Sequence, residues 1–266
     1  MTRILAIAWL AACNPPAATA PSNAVPVAAQ VHVAVGQPLG WLGFAPIANH
    51  ADAATWWLPV GTMAAVVPAS HDVARGRSLT AIDGLGRAAI VRAAAGTTAI
   101  EYGCDGNRLD AVTLATADAK PFAPGVVWVL PPSPPDAWAP QAIAIRSIEA
   151  HPTRRRYVIG PIALDLSRSD ANHATLAIAW NGRVVHRVAI ERAQMDGSDP
   201  TPIDLAEGGP GVPEPVAAWQ IAKQGPILLV VLVPSYEGVH VSAILVERDA
   251  GRAVPELGWY LYRCAF

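Results

Sequence analysis

Short apolar runs, each ended by glycine, proline, asparagine or aspartate, follow one another along most of the chain. Runs of this length with turn residues between them are typical of β-strands. In the first half, the pattern predicts strands over residues 30–35, 63–67, 78–82, 88–93, 97–102 and 126–130. Asp83 and Gly84 stand between two of these runs, and this dipeptide favours a hairpin turn.

The dipeptide Asn181-Gly182 carries the strongest local signal in the second half. It separates predicted strands over residues 175–180 and 183–190, and it accepts the positive φ angles of a type I′ hairpin turn. Along the returning strand, a period of two predicts that one face is shared by Val184, His186, Val188 and Ile190.

A second hairpin is predicted over residues 227–233 and 239–246, and its first strand is continuously apolar, which predicts burial on both faces. Residues 259–266 are expected to form a last strand. Residues 215–223 are the most plausible helix, because Pro215 stands at their start and Gly225 lies just beyond their end, and a strand is the equally favoured alternative.

This succession of short strands predicts a mainly β fold with few helices. We expect two β-rich modules, each sandwich-like or barrel-like, packed together over residues 31–130 and 141–266. Residues 131–140 contain five prolines, which fix φ and remove backbone donors, so they are expected to form a stiff connector.

The N-terminus has the pattern of a bacterial export signal. Arg3 precedes an apolar run over residues 4–10, which is too short to span a bilayer as a stable helix. Leu10, the last residue of this run, begins the sequence Leu10-Ala11-Ala12-Cys13, which resembles the lipobox of bacterial lipoproteins. The resemblance implies that residues 1–12 are a signal peptide and that Cys13 is the lipid-attachment site; plain secretion and no export are the alternatives.

The residue after the cysteine is Asn14 and not aspartate, which resembles the pattern of Gram-negative lipoproteins sorted to the outer membrane. The expected location is therefore the cell envelope, at the outer membrane. Residues 13–30 are rich in alanine and proline and carry no charge, which is typical of an extended tether.

Three cysteines make an odd number for an exported protein until Cys13 is assigned to lipid. Cys104 and Cys264 are then the one possible pair, and an oxidising compartment favours a disulfide between them. The alternative is two separate buried thiols.

Composition narrows the possible partners. With 52% hydrophobic and 15% charged residues, the chain is not of the disordered class. A formal net charge of -2 produces no field that would attract nucleic acid. The expected partners are therefore the membrane, through the lipid anchor, and an envelope protein or glycan.

Several catalytic and cofactor motifs are missing from the sequence, including metal-binding, nucleophile-elbow and dinucleotide-binding patterns, so no metal or cofactor is predicted. His186 and His240 lie in strands that are candidates to be neighbours, with Glu237 near the second. Such a group is a candidate for a spatially assembled hydrolase site, while histidines satisfied by ordinary hydrogen bonds are the favoured interpretation. Trp56 and Trp57 form an aromatic pair of which one indole is a candidate platform for a sugar or a partner.

Two further groups have ordinary interpretations. Ser70-His71-Asp72 has the residue types of a hydrolase triad, but consecutive side chains diverge, and a polar turn is favoured. Arg154-Arg155-Arg156 offers charge to an anion, yet such a run more often forms a solvated turn or protects a sheet edge.

The sequence thus favours a lipid-anchored envelope protein with a non-enzymatic binding or structural role. An envelope hydrolase and a glycan-binding module are the alternatives.

Overall fold

A computed structural model of the chain describes residues 33–45, 63–101, 108–117, 122–192, 202–235 and 238–262. Within these ranges the chain forms eighteen strands and one short 3-10 helix, and no α-helix. The expectation of a mainly β fold is confirmed. Among the same residues, no helix combines the length and apolar character needed to cross a membrane.

The first half forms a closed barrel. Its strands are β1 Trp41–Ala45, β2 Met63–Pro68, β3 Ser78–Asp83, β4 Ala88–Ala93, β5 Thr98–Glu101, β6 Arg108–Ala115 and β7 Gly125–Val129. The order β2-β1-β7-β3-β4-β6, with β2 also paired to β6, closes a ring of six antiparallel strands. Strand β4 pairs with the last residues of β6, Leu114 and Ala115, while β5 pairs with residues 108–111 at the start of β6.

Small side chains fill the barrel interior, as a ring of few strands requires. The buried cluster inside it includes Ala45, Ala65, Val67, Ala81, Val91, Ala93, Val112, Leu114, Val127 and Val129. Because the side chains of a strand alternate, the neighbouring residues Leu42, Ile82 and Trp128 belong to a different cluster, on the outer surface of the barrel.

The second half supplies two more sheets. Its strands are β8 Gln141–Ala142, β9 Arg146–His151, β10 Arg154–Ile159, β11 Ile162–Arg168, β12 His173–Trp180 and β13 Arg183–Glu191. They are followed by β14 Glu214–Gln220, β15 Ile227–Pro234, β16 Gly238–Val246, β17 Gly251–Ala253, the 3-10 helix Pro255–Leu257 and β18 Trp259–Tyr262. Strands β9 to β13 form an antiparallel meander, here called the outer sheet. The central sheet has the order β17-β16-β15-β14-β8, with β18 also paired to β16.

The central sheet lies between the outer sheet and the barrel. One of its faces, with Leu229, Val231 and Ile244, shares a core with Leu164 and Ile178 of the outer sheet. Its other face shares a core with the barrel surface. That second core includes Leu228, Val230 and Leu245 from the sheet and Leu42, Ile82 and Trp128 from the barrel. Strand β15 is accordingly buried on both faces, as its continuous apolar sequence predicts.

Three tryptophans lie where the barrel meets the central sheet. The ring centroid of Trp128 is 5.8 Å from that of Trp219 and 5.9 Å from that of Trp138. The indole N–H of Trp128 donates to the carbonyl oxygen of Leu39 at 2.6 Å. The indole N–H of Trp219 donates to the carbonyl oxygen of Asp83 at 2.9 Å, which links the central sheet to the barrel.

Asp83 ends β3 and has a fully buried side chain. Its carboxylate accepts the backbone N–H groups of Leu85 at 2.9 Å, Arg87 at 2.8 Å and Ala123 at 2.7 Å. The Arg87 guanidinium also donates to it, with Nε at 2.8 Å. One carboxylate therefore holds the β3–β4 turn and the segment before β7 against each other.

The predicted strands over 63–67, 78–82, 88–93, 97–102 and 126–130 correspond to β2, β3, β4, β5 and β7. Over the described part of the range 30–35 there is no strand. Instead, Gln37 N–H donates to the Ala34 carbonyl and its side chain accepts the Ala34 N–H, which closes a turn. The sequence pattern did not predict strands β1, β6, β8, β9, β10, β11 and β17.

The predicted helix over 215–223 is wrong, because these residues form β14 and the turn after it. Ala217 and Trp219 face the barrel while Ala218 faces the outer sheet, and all three are buried. Pairing with β15 satisfies the backbone of this segment and outweighs the helix preference of its alanines.

The predicted face of β13 is wrong at one residue. The register shifts between Ile178 and Ala179, which pair with His186 and Val184 and leave Val185 as an extra residue. This bulge turns Val184 outward, where it is 42% exposed, and lets Val185 pack on the core.

Residues 131–140 carry no strand, and Trp138 within them is buried against Trp128. The division of the chain into two modules at this connector stays a prediction.

The buried carboxylate of Asp83 leads to the first testable prediction. Asp83→Ala leaves the three backbone N–H groups without their acceptor, so the free energy of unfolding should fall by about 2–4 kcal/mol. Urea unfolding measures this loss. Asp136→Ala, at an exposed position, is the control. An Asp83→Ala variant as stable as that control would contradict the role given to the carboxylate.

Candidate functional site

Four turns converge at one end of the two-sheet sandwich and border an open cleft of about 470 Å³, here called the turn cleft. They connect β10 to β11, β12 to β13, β14 to β15 and β16 to β17. The lining residues are Pro161, Trp180, Asn181, Arg183, Gln220, Gln224 and Arg248.

The hairpin of β12 and β13 supplies three of these residues. Asn181 and Gly182 have φ angles of 45° and 85°, which agrees with the predicted type I′ turn. Trp180 pairs with Arg183 across this turn, so their side chains emerge on the same face of the outer sheet. The backbone N–H of Asn181 donates to the carbonyl of Pro161 at 2.9 Å, which holds two of the four turns together.

Gln224 has an unusual backbone in the β14–β15 turn. Gly225 N–H donates to the Ala222 carbonyl at 2.8 Å, which makes Lys223 and Gln224 the central residues of a β-turn. Gln224 has φ of 56°, at a position that glycine or asparagine ordinarily occupies. A left-handed conformation costs a residue with a Cβ atom about 1–2 kcal/mol. The turn therefore keeps a strained residue at the rim of the cleft.

The side chains of the cleft offer many hydrogen-bonding groups. Trp180 is 6% exposed and forms the floor, while Asn181, Arg183, Gln224 and Arg248 are exposed at the rim. Three carboxamides can each donate and accept, and the indole and guanidinium groups donate. Within the described part of the chain, the side chains of Trp180, Asn181, Arg183, Gln220 and Gln224 make no hydrogen bond.

The two histidines predicted to be neighbours are far apart. His186 lies on β13 of the outer sheet, and its Nδ1 lies 2.9 Å from the carbonyl oxygen of Gly251. His240 lies on β16 of the central sheet, and its ring centroid is 4.5 Å from that of Tyr260. Gly251 pairs with Val246, six residues along β16 from His240, which is roughly 20 Å at the ordinary rise of a strand.

The environment of His186 indicates a structural contact. A Cβ atom on Gly251 would lie 2.6 Å from the Cβ of His186, so β13 and β17 approach closely at this point. No group of three or more metal-ligating side chains occurs among the described residues. The other candidate residues lie outside the described part of the chain, so their predictions stay untested. These are Cys13, Trp56, Trp57, Cys104, Glu237 and Cys264.

The arginine triplet lies in β10, a strand interior to the outer sheet, and forms neither a turn nor an edge strand. Arg154 Nη2 lies 2.5 Å from Asp165 Oδ2, and Arg156 Nε lies 3.7 Å from the same oxygen. Arg155 contacts Glu214 at 3.4 Å and stacks on Tyr157. The triplet is thus paired with carboxylates of its own chain and is a poor anion site.

The Ser70-His71-Asp72 group is in a turn, as predicted. Burial lowers the pKa of His71 below its ordinary value, and a hydrogen bond with the backbone of Glu256 acts in the opposite direction. The ring nitrogen Nε2 is buried and finds no hydrogen-bond partner among the described residues. Protonation of His71 therefore disfavours the folded state.

This environment predicts a pH dependence. Because the folded pKa of His71 is lowered, the unfolded state binds more protons and the unfolding free energy falls as pH drops below about 6.5. His71→Gln should flatten this dependence between about pH 7.5 and 5.5, as measured by urea unfolding. His151→Gln, at an exposed position, should keep the wild-type dependence. Equal slopes in all three proteins would refute the assignment.

Comparisons with protein-family models, with curated proteins and with solved structures find no match. The interpretation of the turn cleft accordingly depends on its own chemistry. Sequence reasoning identified the Asn181-Gly182 turn but missed the cleft, because Gln220 fell in the predicted helix and Arg248 carries no local signal.

Proposed function

We propose that this protein is a lipid-anchored protein of the bacterial cell envelope that binds a polar partner through the turn cleft. The partner class expected from the sequence, a glycan or an envelope protein, suits a cleft of this kind. The observation that carries the proposal is the convergence of two arginines, three carboxamides and an indole on one cleft.

The lining residues support binding in preference to catalysis. The seven side chains include no serine, cysteine, histidine, aspartate or glutamate. Guanidinium groups stay protonated and carboxamides do not titrate, so neither supplies a general base at neutral pH. These groups hold a ligand by hydrogen bonds and charge.

The proposed anchor rests on the resemblance of residues 10–13 to a lipobox. Two or three acyl chains on Cys13 would retain the protein stably at a membrane, whereas one chain binds marginally. Val33, the first described residue, is buried in the core that joins the barrel to the central sheet, while the cleft belongs to turns of the sandwich. A ligand in the cleft and a lipid at Cys13 therefore engage separate parts of the chain. We also propose the disulfide between Cys104 and Cys264.

Intact mass tests the anchor and the disulfide. Protein from the membrane fraction should lack residues 1–12, carry the added mass of two or three acyl chains, and gain two hydrogens on reduction. Cys13→Ser should leave the membrane fraction and lose the acyl mass. Full-length unmodified chains with free Cys104 and Cys264 thiols would refute the proposed location.

Co-sedimentation with purified envelope polysaccharide tests the cleft. The wild-type full chain in detergent micelles should sediment with the polysaccharide, and Arg183→Gln should reduce the bound fraction several-fold. Arg187→Gln is the matched control, because Arg187 is also an exposed arginine of β13 but does not line the cleft. Equal losses in both variants would show that the cleft is not the binding site.

A further inference from the structure

We infer that the turn cleft binds a carboxylated sugar, with one sugar acid of an acidic polysaccharide held at the guanidinium group of Arg183. This inference rests on the proposed binding function and names the chemistry of the ligand. Three observations carry it: the charge of the cleft, the presence of both donors and acceptors on its carboxamides, and the strained turn at its rim.

The cleft favours an anion. Arg183 and Arg248 line it, and Lys223 lies beside Gln224 in the same turn. Glu247 and Asp249 flank Arg248 in the sequence, but no acidic residue lines the cleft itself, so its lining side chains are either cationic or neutral. Arg183 makes no ion pair with any described residue, in contrast to the three arginines of β10. A guanidinium presents two parallel N–H groups, the geometry that matches a planar carboxylate.

The remaining groups favour a ligand rich in hydroxyls. The carboxamides of Asn181, Gln220 and Gln224 each provide two donors and an acceptor, and a sugar hydroxyl both donates and accepts. Trp180 and Pro161 add apolar surface to the cleft, suited to the C–H groups of a sugar ring. A cleft of about 470 Å³ lies within the ordinary range of small-ligand sites.

The backbone conformation of Gln224 is an independent indication that the turn cleft binds a ligand. Strained backbone persists where the surrounding structure holds it in place, and strain of this kind clusters at ligand sites. Of the two non-glycine residues with positive φ among the described residues, Asn181 is explained by its type I′ turn. The positive φ of Gln224 belongs to the third position of its β-turn, where glycine is the ordinary residue, so the turn does not explain why a glutamine stands there. Both residues line the cleft.

Calorimetric titration of the wild-type full chain in detergent micelles tests this inference, with a tetramer of galacturonic acid as the probe. The wild type should bind the tetramer, and Arg183→Gln should weaken binding about tenfold or more, the effect of losing a charged hydrogen bond. Arg187→Gln should bind as the wild type does. The methyl ester of the tetramer should bind weakly and equally to the wild type and to Arg183→Gln.

Gln224→Gly separates ligand recognition from folding. Removing the left-handed strain should raise Tm by about 2–4 °C, while loss of the carboxamide weakens binding of the tetramer. A variant that is both more stable and weaker in binding has not lost affinity through unfolding. Unchanged affinity would overturn the role of Gln224 in the site.

The other outcomes distinguish the inference from the proposed function. If the methyl ester and a neutral glucose tetramer bind as well as the acid, the glycan-binding function stands and the carboxylate inference is overturned. If an oligoglutamate peptide binds with the same dependence on Arg183 and the sugars do not bind, the ligand is a protein and the inference is overturned. If no probe binds and envelope polysaccharide does not co-sediment, both are overturned.

Discussion

The hydrogen bond from the Trp219 indole to the backbone carbonyl of Asp83 joins the two halves of the molecule. Both groups are buried, and a buried polar group without a partner is costly. The Asp83 carboxylate meanwhile holds the turn that presents this carbonyl. The position of the barrel on the central sheet is therefore constrained by paired polar groups as well as by apolar packing, which alone is not directional.

The three-layer arrangement also governs where chemistry can occur. Strand β15 is buried on both faces, so its side chains serve packing. Binding residues of rigid β-scaffolds ordinarily lie in the connecting turns. The turn cleft fits this pattern. Trp180 belongs to the buried core and forms the floor of the cleft, and the surrounding turns form its rim.

Local signals predicted local structure well. Asn181-Gly182 specified its turn because few dipeptides accept two consecutive positive φ angles. The failures came where a distant partner decided the outcome. Residues 215–223 have alanines that suit a helix, yet they pair with β15 and bury both faces. The bulge at Val185 lies in an edge strand, where bulges are frequent, and alternation alone does not reveal it.

The sequence by itself determined the mainly β class, the two clear hairpins and the resemblance of the N-terminus to a lipoprotein signal, because each depends on residues close together in the chain. Tertiary structure alone decided the closure of the barrel, the separation of His186 from His240, and the meeting of Trp180, Gln220 and Arg248 in one cleft. A period of two shows which residues share a face of a strand. It does not show which sheet that strand joins or which turns come to lie side by side.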